Sequence, residues 1–166
     1  MHYYDYYESP QGRMLLVASG AGLSGVYFDR QKYLPQVEQG WRRDAGHAPL
    51  RQAKRELAEY FGGERKRFET ALTPAGTPFQ RSVWNAISSV GFGETISYRE
   101  LARRAGCAGS ERAAGAATGR NPIGIIVPCH RIVGSNGSLT GYAGGLERKR
   151  ALLALESGIP ELLATA

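Results

Sequence analysis

The stretch IIVPCHRIV at residues 125–133 is the most informative part of this 166-residue chain. A cysteine and a histidine, Cys129 and His130, stand side by side between two short runs of β-branched apolar residues. A thiolate is the nucleophilic form of cysteine, and a neighbouring imidazole or cation lowers the pKa of a thiol. Because apolar runs flank the pair, we expect it to lie in a formed core. Pro128 before it and Arg131 after it favour a reactive cysteine over a merely structural buried one.

The composition is that of a globular protein with one domain or two small ones. Hydrophobic residues make up 42% of the chain, which supports a sizeable core. Two cysteines are too few for a disulfide framework, and three scattered histidines do not give metal-ligand spacing. No secretory leader or membrane-length apolar run is present, so we expect a cytoplasmic protein with no membrane partner. It would lie at the nucleoid in a prokaryote and in the nucleus in a eukaryote.

The basic surplus is modest. The formal net charge is +6, 17 of the 21 basic side chains are arginines, and most of the surplus lies after residue 76. The arginine fork suits phosphate contacts and insertion into a base stack, which favours a nucleic-acid partner. Many soluble proteins carry a similar charge, so the charge alone does not decide the partner.

The first half of the chain predicts a small β-sheet with one helix. Strand-forming runs over residues 3–8, 14–19 and 23–28 are separated by Gly- and Pro-containing turns, as in an antiparallel meander. The four tyrosines of the first run fit strand propensity better than a base-stacking platform. Apolar residues at helical spacing over residues 50–61 predict a helix, and residues 67–72 predict another short strand.

The second half predicts helices. The breaker-rich sequence TPAGTP at residues 73–78 marks a boundary, so we expect domains over residues 1–76 and 77–166. Ser97 caps a helix that Gly106 ends, and a glycine-containing connection leads to a second helix over residues 111–118, which predicts a helix-turn-helix. The expected fold class is α/β (α+β), with a small N-terminal sheet domain and a mainly helical C-terminal domain.

The second helix of this pair has almost no side-chain bulk. A recognition helix that reads the major groove uses Arg, Asn or Gln, and this helix offers only Arg112. A smooth helix with one long cation suits the narrower minor groove, where an inserted side chain can displace a base. Tight packing between helices is the other explanation for the small residues.

Taken together, these motifs resemble the alkylguanine-DNA alkyltransferase family, also called methylated-DNA–protein-cysteine methyltransferases. The mark of the family is Pro-Cys-His-Arg, present here at residues 128–131. The resemblance is close from about Thr77 to Glu156, whereas the first 75 residues match only in general layout. Further segments in the order and spacing of the family are Gly93-Glu94-Thr95-Ile96-Ser97-Tyr98, Arg112-Ala113-Ala114-Gly115, Asn121-Pro122 and Tyr142-Ala143-Gly144-Gly145-Leu146.

The resemblance implies a single-use repair enzyme, a monomer without metal or other cofactor, acting on double-stranded DNA that bears alkylated guanine. The alkyl group on the 6-oxygen of a flipped guanine would move irreversibly to Cys129. His130 would carry the thiol proton through a water, and Glu156 would orient that histidine. Tyr98 would donate a proton to the leaving guanine, and Asn121 would tie the recognition helix to the active-site loop.

The resemblance also implies a DNA surface and a base pocket. Arg112 would fill the gap in the base stack after the nucleotide rotates out through the minor groove, and Ser135 would touch phosphate. The implied DNA-binding set is Tyr98, Arg99, Arg112, Ala113, Ala114, Gly115 and Ser135. The base pocket would be lined by Tyr142, Ala143 and the carbonyl of Ile132. Ala143 stands where serine is common in the family, which bears on the alkyl group preferred.

Two other functions compete with this one. A DNA-binding module without chemistry would bind alkylated duplex tightly and remain covalently unchanged. A cysteine hydrolase built on Cys129, His130 and Glu156 would turn over a carbonyl substrate. The hydrolase hypothesis leaves the helix-turn-helix and Arg112 unexplained.

Overall fold

The N-terminal half holds four strands: β1 (His2–Ser9), β2 (Gly12–Ser19), β3 (Gly22–Phe28) and β4 (Arg42–Arg43). They form one sheet in the order β3-β2-β1-β4. The three long strands pair antiparallel, and β4 runs parallel to β1. The structure, a computed structural model, describes residues 1–158.

One face of this sheet is covered by helix α1 (Ala48–Phe61). In β2, the alternate residues Met14, Leu16 and Ala18 are fully buried, as expected for a strand with one apolar face. The buried residues of α1 recur at helical spacing and include Leu50. The predicted small sheet with one helix is confirmed.

Residues 67–72 do not form the short strand that the sequence predicts. Leu72 makes a single parallel bridge to Leu23 of β3. The backbone N–H groups of Glu69 and Thr70 instead donate to the carboxylate of Glu56 on α1, each at 3.1 Å. The Glu56 side chain satisfies the backbone groups that a neighbouring strand would otherwise bind. The local hydropathy pattern does not predict this long-range contact.

The C-terminal half contains α2 (Pro78–Ser88), β5 (Ile96–Ser97), α3 (Tyr98–Arg104), α4 (Glu111–Gly119), β6 (Ile132–Val133) and α5 (Leu146–Ser157). Thr77 begins α2 with a capping box, in which Thr77 and Gln80 each accept the other's backbone N–H. Ser97 caps α3 by accepting the N–H of Glu100 at 3.0 Å. Helices α3 and α4 pack as the predicted helix-turn-helix, and the α/β fold class is confirmed.

The two-residue strands β5 and β6 position the segment that holds Cys129. They pair in parallel, Ile96 beside Ile132. Because β6 directly follows Arg131 and β5 directly precedes α3, this pairing brings the cysteine turn beside the start of the helix-turn-helix. Pairs this short have no alternation of polar and apolar residues, so the sequence did not predict them.

The two halves share one hydrophobic core. The N–H of Val26 in β3 donates to the Pro122 carbonyl at 2.8 Å, and the N–H of Gly124 donates back to Val26 at 3.0 Å. Phe28 of β3 and Ile123, both essentially fully buried, belong to the same apolar cluster. Within residues 1–158, no helix is long and apolar enough to cross a membrane.

Candidate active site

Cys129 begins a short 3₁₀ helix, Cys129–Arg131, and is only 7% exposed. In the turn that precedes it, Ile125 has a φ of +68°. Because this left-handed conformation is unfavourable for a β-branched residue, the surrounding contacts must hold it in place. Asn121, two residues after α4, supplies such contacts through its amide nitrogen. That nitrogen donates to the Val127 carbonyl at 2.8 Å and lies 3.2 Å from Cys129 Sγ.

The Cys129 thiol is protonated in the resting protein. Burial raises its pKa above the ordinary value. The Asn121 hydrogen bond and the positive charge of Lys149 act in the opposite direction without overcoming the effect of burial. A nucleophilic thiolate therefore requires a nearby base that takes the proton.

Glu156 of α5 lies at the centre of a buried hydrogen-bond network. It accepts from His130 Nε2 at 2.7 Å, from the Tyr60 hydroxyl at 2.6 Å and from Nε and Nη2 of Arg131 at 2.8 and 3.0 Å. Arg131 also donates to the Val90 carbonyl at 2.7 Å. Burial alone would raise the pKa of Glu156, but the hydrogen bonds from His130 and Arg131 lower it to about 2. The carboxylate is therefore ionised at neutral pH.

His130 is a neutral base in this network. Burial lowers its pKa and outweighs the opposing effect of the ionised Glu156. Since Nε2 must carry a proton to donate to Glu156, the free lone pair is on Nδ1. Nδ1 is buried and has no hydrogen-bond partner within residues 1–158. A base held by a carboxylate in this way is the arrangement that activates a neighbouring nucleophile.

Lys149 of α5 is fully buried, which is rare for lysine. Its ammonium group donates to the carbonyls of Ile132, Thr140 and Gly141 at 2.6, 2.9 and 3.1 Å. Burial lowers the pKa of Lys149 to about 8, and the thiolate form of Cys129 would act in the opposite direction. The lysine is therefore mostly charged at neutral pH and places a cation near the cysteine.

An open cavity of about 710 Å³ gives Cys129 access to a ligand. One wall is α4, which contributes small residues such as Ala113 and Ala116. The glycine loop, defined here as residues 141–145, also lines the cavity and contributes Tyr142. The cavity brings the recognition helix and the thiol to the same space.

Tyr98, the first residue of α3, also lines this cavity. Its hydroxyl donates to the Thr140 carbonyl at 3.3 Å. Its ring is the nearest group to Gly115 of α4, 3.7 Å from the position that a Cβ would occupy there. Burial raises the pKa of Tyr98 and of Tyr142. Both phenols therefore keep their protons at neutral pH and can act as hydrogen-bond donors to a ligand.

Similarity to known proteins covers both halves of the chain. A family model described as the DNA binding domain of 6-O-methylguanine DNA methyltransferase matches residues 78–158. The model for the ribonuclease-like domain of the same enzyme matches residues 2–74. The chain belongs to the 6-O-methylguanine DNA methyltransferase family.

Members of this methyltransferase family align with the chain almost from end to end. The methylated-DNA–protein-cysteine methyltransferase of Methanosarcina acetivorans is 47% identical over 154 residues, which are 93% of this chain and 97% of that protein. The enzyme of the same name from Mycobacterium bovis is 44% identical over 94% of this chain and 93% of its own length. The crystal structure of Mycobacterium tuberculosis OGT in complex with DNA matches with a TM-score of 0.89, at 41% identity, over 98% of this chain and 99% of that one. The family recognised from the sequence motifs is confirmed.

The methyltransferase fold gathers most of the residues that the sequence nominates for chemistry. Those that line the cavity are Tyr98, Cys129, Tyr142 and Ala143. The buried residues connected to Cys129 by hydrogen bonds or by sequence are Asn121, His130 and, through His130, Glu156. Two others lie apart from the cavity. The carbonyl of Ile132 accepts from Lys149, and Ser135 is exposed in the turn over residues 134–137.

The nominated DNA-binding residues on α3 and α4 differ in how far they are exposed. Arg112 and Ala113 are exposed on this helix, and Arg99 is exposed on α3. Gly115 is half-buried beneath Tyr98. Ala114 is fully buried against the core, so its side chain offers no DNA contact, contrary to the expectation from sequence. The physical reason is helical periodicity, which turns the middle of an Arg-Ala-Ala-Gly run inward.

Sequence reasoning did not single out Lys149 and Tyr60, which lie in the buried network, nor Lys32 and Tyr33, which line the cavity from the N-terminal half. Lys149 had a usable signal. It stands seven residues before Glu156, two helical turns away on the same face of α5. Tyr60 had none, because its partner Glu156 is 96 residues away in sequence.

Proposed function

We propose that the chain transfers an alkyl group, foremost methyl, from the 6-oxygen of guanine in double-stranded DNA to Cys129, once per protein molecule. One observation carries the proposal. The buried Cys129 thiol lines an open cavity beside a neutral His130 that ionised Glu156 holds in position. Relatives that match nearly the whole chain are named methylated-DNA–protein-cysteine methyltransferases, and a matching structure holds DNA.

The chemistry runs through four side chains. The thiol proton of Cys129 passes to Nδ1 of His130 through a water, and Glu156 stabilises the resulting imidazolium. The thiolate attacks the alkyl carbon, so an S–C bond forms while the C–O bond breaks and its electron pair moves to the guanine. Tyr98 donates a proton to the leaving base, since its raised pKa keeps it protonated until then. No step in this scheme calls for a metal or cofactor.

The product is a thioether, which has no good leaving group. Neither His130 nor a water activated by it can remove the alkyl group from sulfur. After one transfer the protein has no free thiol at Cys129 and cannot react again. The DNA is released with the guanine restored.

The DNA-binding surface fits recognition from the minor groove. Arg112 enters the base stack where the nucleotide has rotated out, and Ala113 and Gly115 allow α4 to approach the groove closely. Arg99 and Ser135 are exposed where phosphate contacts are available. The flipped base then lies in the cavity against Tyr142 and Ala143. The Ile132 carbonyl accepts from Lys149 and does not line this cavity, so it is left out of the base pocket. Asn121 links α4 to the cysteine turn through its bonds to that turn.

The proposal includes three statements about the whole protein. The chain has two domains, over residues 1–76 and 77–166, of which the second carries the acceptor and the DNA surface. It acts as a monomer on DNA. It works in the cytoplasm, at the nucleoid of a prokaryote, or in the nucleus of a eukaryote.

Intact-mass measurement after exposure to duplex DNA containing 6-O-methylguanine tests this function. We expect the mass to rise by a single methyl, mapped to the peptide that holds Cys129, and we expect no change in Cys129→Ser. A tight complex without a mass change would support the non-catalytic binding module instead. Turnover of a carbonyl substrate without lasting modification would support a cysteine hydrolase.

A further inference from the structure

The N-terminal half contributes to the cavity that holds Cys129. Lys32 and Tyr33, in the loop after β3, line the same space as the thiol. Tyr33 is 56% exposed, so its ring faces the opening of the cavity and not the core. The tether segment, defined here as residues 29–33, is therefore part of the cavity although it belongs to the half without the acceptor.

The tether segment is bound to the glycine loop by two sets of hydrogen bonds. The N–H of Lys32 donates to the Ala143 carbonyl at 3.0 Å. The guanidinium of Arg148 on α5 bonds to both elements. In the tether segment, Nη2 donates to Asp29 Oδ1 at 2.5 Å and Nη1 donates to the Asp29 carbonyl at 2.9 Å. In the glycine loop, Nη1 donates to the Gly144 carbonyl at 3.2 Å. One planar cation thus fixes the glycine loop relative to the N-terminal half.

The tether segment also contacts the end of α4. The guanidinium carbon of Arg120, at the C-terminal cap of α4, lies 3.7 Å from the centre of the Tyr33 ring, which is a cation–π contact. Tyr33 has a φ of +61°, a conformation that a bulky residue keeps only when its surroundings hold it. The ring is therefore held by Arg120 at the end of α4, while the backbone of its neighbour Lys32 is bonded to the glycine loop.

We propose that Tyr33 is a specificity-determining residue that restricts the size of the alkyl group transferred to Cys129. The inference rests on the proposed function. A flipped guanine brings its alkyl group into a space that is lined by α4, by the glycine loop and by the Tyr33 ring. A methyl group needs little of that space, whereas a benzyl group extends further and meets a wall that Arg120 keeps from moving aside.

A competition experiment with the full chain tests this role. The protein is mixed with equal amounts of two duplexes, one carrying 6-O-methylguanine and one carrying 6-O-benzylguanine, and its intact mass gives the ratio of benzyl to methyl acquired. We expect Tyr33→Ala to raise this ratio about tenfold or more, as for other pockets that gain room. Tyr33→Phe keeps the ring and should keep the ratio of the wild type. Tyr4→Ala removes a tyrosine of the same half that does not line the cavity, so it also should keep that ratio.

The ratio counts only protein that reacts, so partial misfolding of a variant does not alter it. Should Tyr33→Ala yield too little protein, Arg120→Met frees the ring while keeping the tyrosine, and its ratio should rise as well. A ratio for Tyr33→Ala equal to that of Tyr4→Ala overturns the specificity role and leaves the transfer function standing. A wild-type protein that acquires neither group overturns the proposed function and this inference with it.

Discussion

At the scale of single residues, the site depends on buried charges that are fully paired. Glu156 has three donating partners, and the ammonium group of Lys149 has three carbonyls. Removing one member of such a set leaves the other charges buried without compensation, which is strongly destabilising. The groups that are proposed to support the reactivity of Cys129 therefore also support the fold.

We expect Glu156 to make the stability of the protein depend on acid pH. The pKa of Glu156 is about 2 in the folded protein against an ordinary 4.5, so the unfolded chain binds this proton more tightly. The carboxylate therefore stabilises the fold at any pH above its ordinary value, and this contribution disappears as the pH falls through the range down to about 2. The loss amounts to roughly 3 kcal/mol for this group. Urea unfolding at a series of acid pH values measures it.

Glu156→Gln should remove that part of the pH dependence and should lower stability at neutral pH. Glu100 is the matched control, because Arg103 and Arg104 lower its pKa to about 2 as well, but on an exposed surface. Solvent screens that cluster, so Glu100→Gln should keep nearly the whole acid dependence of the wild type. An acid dependence in Glu156→Gln equal to that of the wild type would contradict the role assigned to the buried carboxylate.

Local sequence was enough to single out the proposed nucleophile and its base, because Cys129 and His130 are neighbours in the chain. Glu156 came from the resemblance to a family, not from spacing. Tyr60 was beyond reach, since α1 and α5 meet only in the folded protein. The left-handed Ile125 was also hidden, because nothing in a β-branched run indicates that one of its members adopts a positive φ.

At the scale of elements, α4 combines a smooth surface with one long cation. The sequence left two explanations for its small residues, tight packing between helices and close approach to a DNA groove. Ala114 fits the first, because it packs against the core, and Ala113 is compatible with the second, because it is exposed and lines the cavity. Arg112 projects from the same helix and is exposed. Helix α4 therefore packs closely against the core and still presents a surface of small side chains that suits a DNA groove.

We expect Arg112→Ala to slow repair in duplex DNA by more than it slows reaction with the free alkylated base. Extrusion of a nucleotide costs a few kcal/mol only in the duplex, and Arg112 is proposed to offset part of that cost by filling the stack. Single-turnover rates on both substrates give the comparison. The control is Arg55→Ala, an exposed arginine on α1, which should leave both rates unchanged.

Equal slowing of Arg112→Ala on the two substrates would argue against a stack-filling role. A simple phosphate contact has a different signature. Its loss weakens binding to all duplexes and lowers the slope of log binding constant against log salt concentration by about one.

Elements with strong periodicity and caps were predictable. Residues 50–61 and the run after Ser97 became helices with nearly the predicted ends, because apolar spacing and capping residues agree there. Residues 67–72 were mispredicted because the carboxylate of Glu56 replaces a neighbouring strand. The pair β5 and β6 is fixed by tertiary contacts and leaves no periodic signal.

At the scale of the whole molecule, the N-terminal half is joined to the active site at several points. Tyr60 donates to Glu156, Val26 bonds to the segment after α4, and Arg148 holds Asp29 against the glycine loop. Each joint connects residues that are far apart in sequence, which is why the sequence placed the chemistry in the second half alone. In the folded protein, residues from both halves line the cavity that holds Cys129.

The central claim is that each molecule acts once, and a titration with excess damaged duplex tests it most directly. Methylated duplex in increasing molar excess is incubated with a fixed amount of protein, and the guanine restored is counted at completion. We predict that restoration stops at one guanine per active protein molecule at every excess, because the thioether on Cys129 cannot be removed, and that Cys129→Ser restores none. Restoration that continues over many equivalents, or that survives in Cys129→Ser, would contradict the account.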